Sequence, residues 1–153
     1  MPLLVDKAVV NIIIDSWKFM QESKRLIIYA FVLMDTHLHF IAEGTNLSKQ
    51  IANFKSYTAR TIIDHFHETN ASHILKKLSS YKRQGRSDRM YQFWQEESHP
   101  EMIVGHDMMH QKTDYIHYNP VRKELVKKPE DWKYSSASNY ILGKGLLEVQ
   151  TEW

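Results

Sequence analysis

A chain of 153 residues suits a single domain with a proper core, and 42% hydrophobic with 25% charged residues is globular composition, which excludes disorder and fibre-forming repeats. The absence of cysteine excludes disulfides, thiolate zinc sites and cysteine nucleophiles, so that His, carboxylate and amide groups remain as metal ligands and a bound ion would be one such as magnesium or manganese. A net charge of +2 does not announce a nucleic-acid binder; the distribution of charge has to carry any such role.

Residues 1–6 lack the basic segment and long apolar core of a signal peptide, and the longest apolar run, residues 26–34, is far shorter than the roughly 20 residues of a membrane span. A cytoplasmic protein with no membrane contact is the expectation. Residues 7–23 place Val9, Val10, Ile13, Ile14, Trp17 and Met20 at helical spacing, which predicts an amphipathic helix packed on a sheet. Residues 26–33 and 37–42 read as a β-hairpin broken at Met34-Asp35-Thr36, because one strand from 26 to 42 exceeds the usual limit of about ten residues. Glu43-Gly44-Thr45-Asn46 is a turn and cap cluster, and from Leu47 the positions Ile51, Phe54, Thr58 and Ile62 predict a second helix to about Phe66. Lys49, Lys55 and Arg60 lie off that stripe. A short helix near 73–81 and a polar basic loop over 82–89 come next, then the alternating Tyr91-Gln92-Phe93-Trp94 as a strand. Residues 104–118 predict a helix that stops near Asn119, since the residue before a proline avoids the helical region. Three strands and three or four helices in mixed order indicate an α+β domain with helices on one side of an antiparallel sheet.

Two stretches carry chemistry. In Met34-Asp35-Thr36-His37-Leu38-His39-Phe40-Ile41, alternation along a strand sends His37 and His39 to the same face, two imidazoles that make half of a metal site. A solvent face that merely carries two polar residues is the equally open structural reading. Far along the chain, Tyr115 and Asn119 are four residues apart and share a helix face. A tyrosine there could attack a phosphorus or carbonyl centre, and the amide one turn on could join the histidines around an ion. Half-buried packing is the commoner use of such a tyrosine.

These blocks, together with Phe54-Lys55-Ser56-Tyr57-Thr58, Tyr91-Gln92-Phe93-Trp94-Gln95 with His99-Pro100, Asp114-Tyr115-Ile116-His117-Tyr118-Asn119-Pro120-Val121-Arg122, Lys128-Pro129-Glu130-Asp131-Trp132 and Tyr134-Ser135-Ser136-Ala137, resemble the REP-associated tyrosine transposases, a single-tyrosine branch of the HUH nucleases. The resemblance runs in order from about residue 26 to 149. It implies a ferredoxin-like or RRM-like antiparallel sheet and an enzyme that cuts and rejoins single-stranded DNA near hairpins. It further implies that His37, His39 and Asn119 hold Mg2+ or Mn2+ and that Tyr115 forms a 5′-phosphotyrosine. Lys49, Lys55, Arg60, Lys82, Arg83, Arg86, Trp94 and Arg122 are then the expected DNA contacts, and single-stranded or hairpin DNA and a second copy of the chain the expected partners.

Two positions depart from the family pattern. Relatives carry a strand before the first helix, so the sheet here is expected to lack a strand or to borrow one from a partner chain. They also commonly have Asn where Thr36 stands. Beside the cutting enzyme, two readings stay open: a hairpin-binding protein on the same fold that does not cut, and a metal-dependent hydrolase using the histidine pair.

Overall fold

The computed structural model describes residues 6–80, 93–94 and 101–153, which divide into two compact units, Met1–Gln50 with Met102–Trp153 and, separately, Ile51–Glu101. The first unit opens with α1, Lys7–Glu22. The Asp6 carboxylate caps it, accepting from the N–H groups of Ala8 at 3.0 Å and Val9 at 3.3 Å, two donors that have no partner inside the helix. Val9, Val10, Ile13, Ile14, Trp17 and Met20 are its buried stripe, as the periodicity predicts. The helix stops in a Schellman turn: Lys24 takes a φ of 58°, and Arg25 N–H returns to the Met20 carbonyl at 2.9 Å.

The predicted hairpin is present as β1, Ile27–Leu33, antiparallel to β2, Leu38–Glu43, with Met34 N–H bonded to the His37 carbonyl across the turn. Phe31 lies opposite Phe40 and Val32 opposite His39, with the register slipping once between Ile28 and Ala30. Gly44, just past β2, passes so close to the Arg25 carbonyl that a Cβ would collide with backbone, which accounts for a glycine there.

The sheet is covered on both faces, which corrects the expectation of helices on one side. On one face the Trp17 ring sits 5.4 Å from Phe31 and 5.5 Å from Phe40. On the other, Ala30, Val32 and Met34 form a core cluster with Ile116 of α4, His106–Arg122, packed by Ile41 and Trp132. The cause is legible in β1: Ile28 and Ala30 through Leu33 are all buried, the continuous apolar run of a strand with two dry faces.

The chain's own later residues close the edge of β1 that β2 leaves free. Val32 bridges Ser135, Leu33 N–H donates to the Tyr134 carbonyl at 2.8 Å, and Ser136 N–H donates to the Phe31 carbonyl at 3.0 Å. Trp132 Nε1–H reaches the Leu33 carbonyl at 2.9 Å, and Gln150 N–H reaches that of Ile28 at 2.9 Å. This segment takes up the hydrogen bonds for which the sequence suggested a missing or borrowed strand.

α4 starts after Gly105, whose φ of 86° suits glycine, and it runs through Pro120 rather than stopping at Asn119. Only Val121 and Arg122 follow the proline in the helix, and a second Schellman turn, Leu125 N–H to the Pro120 carbonyl at 3.0 Å with Glu124 at φ 59°, seals the end. The lost backbone donor therefore falls in the last turn, where one missing bond costs least, while Pro120 and Asn119 are both buried. A 3₁₀ turn at Pro129–Asp131 and α5, Ala137–Leu142, complete the unit; the sequence reading did not anticipate α5.

In chain order α2, Leu47–Glu68, precedes α3, Ser72–Ser80. Phe54, Thr58, Ile62 and Phe66 are the buried stripe of α2, and Leu75 and Leu78 that of α3. The predicted strand near 90–95 and the basic loop 82–89 lie outside the described residues, Phe93 and Trp94 excepted. Among the described residues the fold is thus α+β, a two-stranded antiparallel sheet with five helices, none long and apolar enough to cross a membrane.

Candidate active site

Strand alternation does for β2 what the sequence predicts: His39 and Ile41 share the face on which α4 packs, while Phe40 meets Trp17 on the other. The imidazoles of His37 and His39 are 4.9 Å apart, centroid to centroid, and edge-on. Across from them the Tyr115 ring of α4 stands 6.3 Å from that of His39. Tyr115 is exposed, and the Arg122 guanidinium lies 4.2 Å over its ring while donating to the Tyr115 carbonyl at 2.5 Å. Residues 115 and 122 are two helical turns apart, which is why the guanidinium lies back along the helix onto the ring.

Desolvation lowers the pKa of both histidines. Asp35 opposes this at His37 and Lys123 adds to it; at His39, His37 and Arg122 add to it. Both imidazoles are held neutral, the state in which a ring nitrogen has a lone pair to offer. The Thr36 hydroxyl lies 3.2 Å from His37 Nδ1. With Nδ1–H donating to that oxygen, Nε2 keeps its lone pair, a support of the sort metal-binding histidines usually have. Thr36, read in the sequence as a departure in a turn, thus has a contact of its own.

Asn119 shares the Tyr115 face of α4 one turn on and is buried. Two neutral imidazoles and an amide suit a hard or borderline divalent cation. Among the described residues no group of three or more His, Cys, Asp or Glu could hold a metal ion, so within them a third ligand to the histidine pair would be an amide such as this one.

Lys49 and Arg60 are exposed and Lys55 half-buried on α2, while Lys82, Arg83 and Arg86 lie outside the described residues. Trp94 donates its Nε1–H to Thr58 Oγ1 at 2.9 Å, and its ring packs against Phe54 at 5.8 Å, so packing occupies much of the indole. Lys123, which no motif in the sequence marks, acts on His37.

Behind the site, Ser136 Oγ accepts from Phe31 N–H at 2.9 Å and lies 2.7 Å from His117 Nε2, joining β1 to α4. Burial drives the His117 pKa down to about 4 against a smaller opposing effect of Asp114, so the ring that shares this hydrogen bond with the serine hydroxyl is neutral. Comparison with protein-family models, curated proteins and solved structures found no match to the chain.

Proposed function

We propose that the chain is a single-stranded DNA endonuclease and strand transferase, on a ferredoxin-like sheet, that cuts near hairpins through a 5′-phosphotyrosine on Tyr115. The observation that carries this reading is the approach of the Tyr115 ring to 6.3 Å from that of His39, with Arg122 stacked on the tyrosine. Two motifs far apart in sequence meet there, a phenol beside a histidine pair with a permanent cation at hand. Packing alone would not call for an exposed tyrosine beside a neutral imidazole.

In this mechanism the phenolic oxygen attacks phosphorus, the bond from phosphorus to the 3′-oxygen breaks, and the phenolic proton ends by way of solvent on the released 3′-hydroxyl. A second 3′-hydroxyl reverses the step without ATP, because the energy of the broken link is kept in the phosphotyrosine. Mg2+ or Mn2+ held by His37, His39 and Asn119 would neutralise the phosphodiester charge that otherwise repels the incoming oxygen. Arg122 and Lys123 add fixed positive charge beside the histidines for the same phosphate. Lys49, Lys55 and Arg60, with Lys82, Arg83 and Arg86, follow the DNA backbone, and a cytoplasmic location goes with such a substrate. A homodimer belongs to the same reading, because among the described residues β2 pairs only with β1 and offers an edge that a second copy can extend.

The test is a hairpin oligonucleotide with a single-stranded flank, labelled at its 3′ end, incubated with the protein and manganese. The expected result is a covalent protein adduct carrying the label, absent in Tyr115→Phe although that variant still binds the DNA. Cleavage that survives Tyr115→Phe and vanishes with Tyr118→Phe would move the nucleophile; a free 5′-phosphate with no adduct would favour the hydrolase, and binding with neither product the non-cutting hairpin binder.

A further inference from the structure

A second histidine pair stands apart from the site described above. His106 and His110 are four residues apart on α4 and share one side of it, both exposed, with ring centroids 4.9 Å apart and ring planes at 73°. The His37 and His39 rings have nearly the same geometry, 4.9 Å and 77°. Two imidazoles bonded to one ion at about 2.0–2.1 Å, at angles between a right angle and the tetrahedral one, hold their centroids about 4.5–5.2 Å apart. The helix thus sets His106 and His110 at a chelating separation with no change of backbone.

Hydrogen bonding points the same way. His106 Nε2 lies 2.7 Å from the Trp153 carbonyl oxygen, which can only accept, so Nε2 carries the proton and in the neutral ring Nδ1 keeps its lone pair. A ring N–H held by a backbone carbonyl is the usual outer contact of a metal-ligating histidine, and it fixes the tautomer before any ion arrives. The Trp153 ring packs against both imidazoles, at 4.9 and 4.6 Å, yet both histidines stay exposed, so an ion can reach them from solvent. Among the described residues no third His, Cys, Asp or Glu joins them in a metal-holding group, and water completes the coordination. Imidazole nitrogen suits zinc, nickel and copper, whereas magnesium prefers oxygen and keeps its water.

We infer that His106 and His110 bind a late transition ion of this kind, through Nδ1 of His106 and a ring nitrogen of His110, and that the ion fastens residues 148–153 to α4. That segment holds to three other elements: the Glu148 carbonyl accepts from Gln21 Nε2–H at 2.8 Å, Gln150 N–H donates to the Ile28 carbonyl at 2.9 Å, and Trp153 Nε1–H donates to the Tyr140 hydroxyl at 3.1 Å. A cation on Nδ1 draws electron density from the ring and makes Nε2–H a stronger donor to the Trp153 carbonyl, so ion and segment hold each other. The pair lies on the far side of α4 from Tyr115, and the inference stands whether or not the chain cuts DNA.

Untagged ¹⁵N-labelled protein, titrated with zinc chloride and separately with magnesium chloride, tests this by NMR. Micromolar zinc is expected to shift the ring signals of His106 and His110 and the Trp153 indole signal, and to slow amide exchange at Gln150; magnesium moves none of these. His110→Gln should weaken zinc binding at this pair by about tenfold or more. Without metal its Tm should stay close to that of the wild type, because the changed side chain is exposed and the bond from His106 is kept, which separates loss of the site from loss of fold. Zinc shifts confined to His37 and His39, equal zinc affinity in His110→Gln, a matching response to magnesium, or shifts that need millimolar zinc, the mark of an adventitious ion only, would overturn the inference. Zinc bound at the pair with unchanged exchange at Gln150 would overturn the fastening of residues 148–153.

Discussion

His117 is the residue through which acid should loosen the fold. It is 6% exposed between α4 and Ser136, and burial lowers its pKa from 6.5 to about 4. Above pH 6.5 the imidazole is neutral in both the folded and the unfolded chain, so the stability tied to it is fully present. Between 6.5 and about 4 the unfolded chain takes up a proton that the folded chain refuses, and stability falls as the pH falls. Those two values give a loss of about 2 kcal/mol between pH 7 and pH 5, approaching about 3 kcal/mol by pH 4. His37 and His39 shift in the same direction, so the wild-type slope alone does not isolate His117. The comparison is urea denaturation at pH 7, 6 and 5 of the wild type and of His117→Gln, whose amide can either donate to Ser136 Oγ or accept from it. The variant should be less stable at pH 7 and lose about 2 kcal/mol less than the wild type on going to pH 5. Parallel slopes for the two proteins would refute the reasoning, because His117 would then titrate alike folded and unfolded.

Trp17→Ala removes the ring that joins α1 to Phe31 and Phe40; at 1% exposure it should cost about 3–5 kcal/mol, read as a lower urea midpoint. Asp6→Ala leaves the N–H groups of Ala8 and Val9 uncapped and should cost about 1 kcal/mol, whereas Asp6→Asn should recover most of it. Binding of a single-stranded hairpin should weaken steeply between 50 and 200 mM salt, by about 10³-fold if six phosphates are contacted, and duplex of the same length should bind more weakly; equal affinity for the two would count against the DNA reading.

How much of this was legible in the sequence depends on the range of the forces involved. The stripes of α1 and α2 and the break of the hairpin at Asp35-Thr36 are local patterns, and the structure has them within a residue or two. Alternation also put His37 and His39 on one side, but it gave no information on which helix that side would meet; the packing of Ile116 on Ala30, Val32 and Met34 brings Tyr115 to His39. The expectation of helices on one side came from the number and order of the elements, whereas β1, with its run of buried residues, pointed to a sheet covered on both sides. Pro120 misled for a different reason. A proline forbids a backbone bond but does not forbid a helix whose remaining carbonyls are satisfied otherwise, and the Schellman turn at Glu124, with its uncommon positive φ on a non-glycine residue, gives no signal in the sequence. The closure of β1 by residues 132–136 is equally silent, since it is made by a tryptophan indole N–H, a serine hydroxyl that accepts from Phe31 N–H, and the backbone groups of Leu33 with Tyr134 and of Ser136 with Phe31, which no periodicity marks. Yet that closure bears on the site. Ser136 bonds both Phe31 and His117, so the segment that completes the sheet also fixes α4, and with it the height at which Tyr115 stands over the histidines.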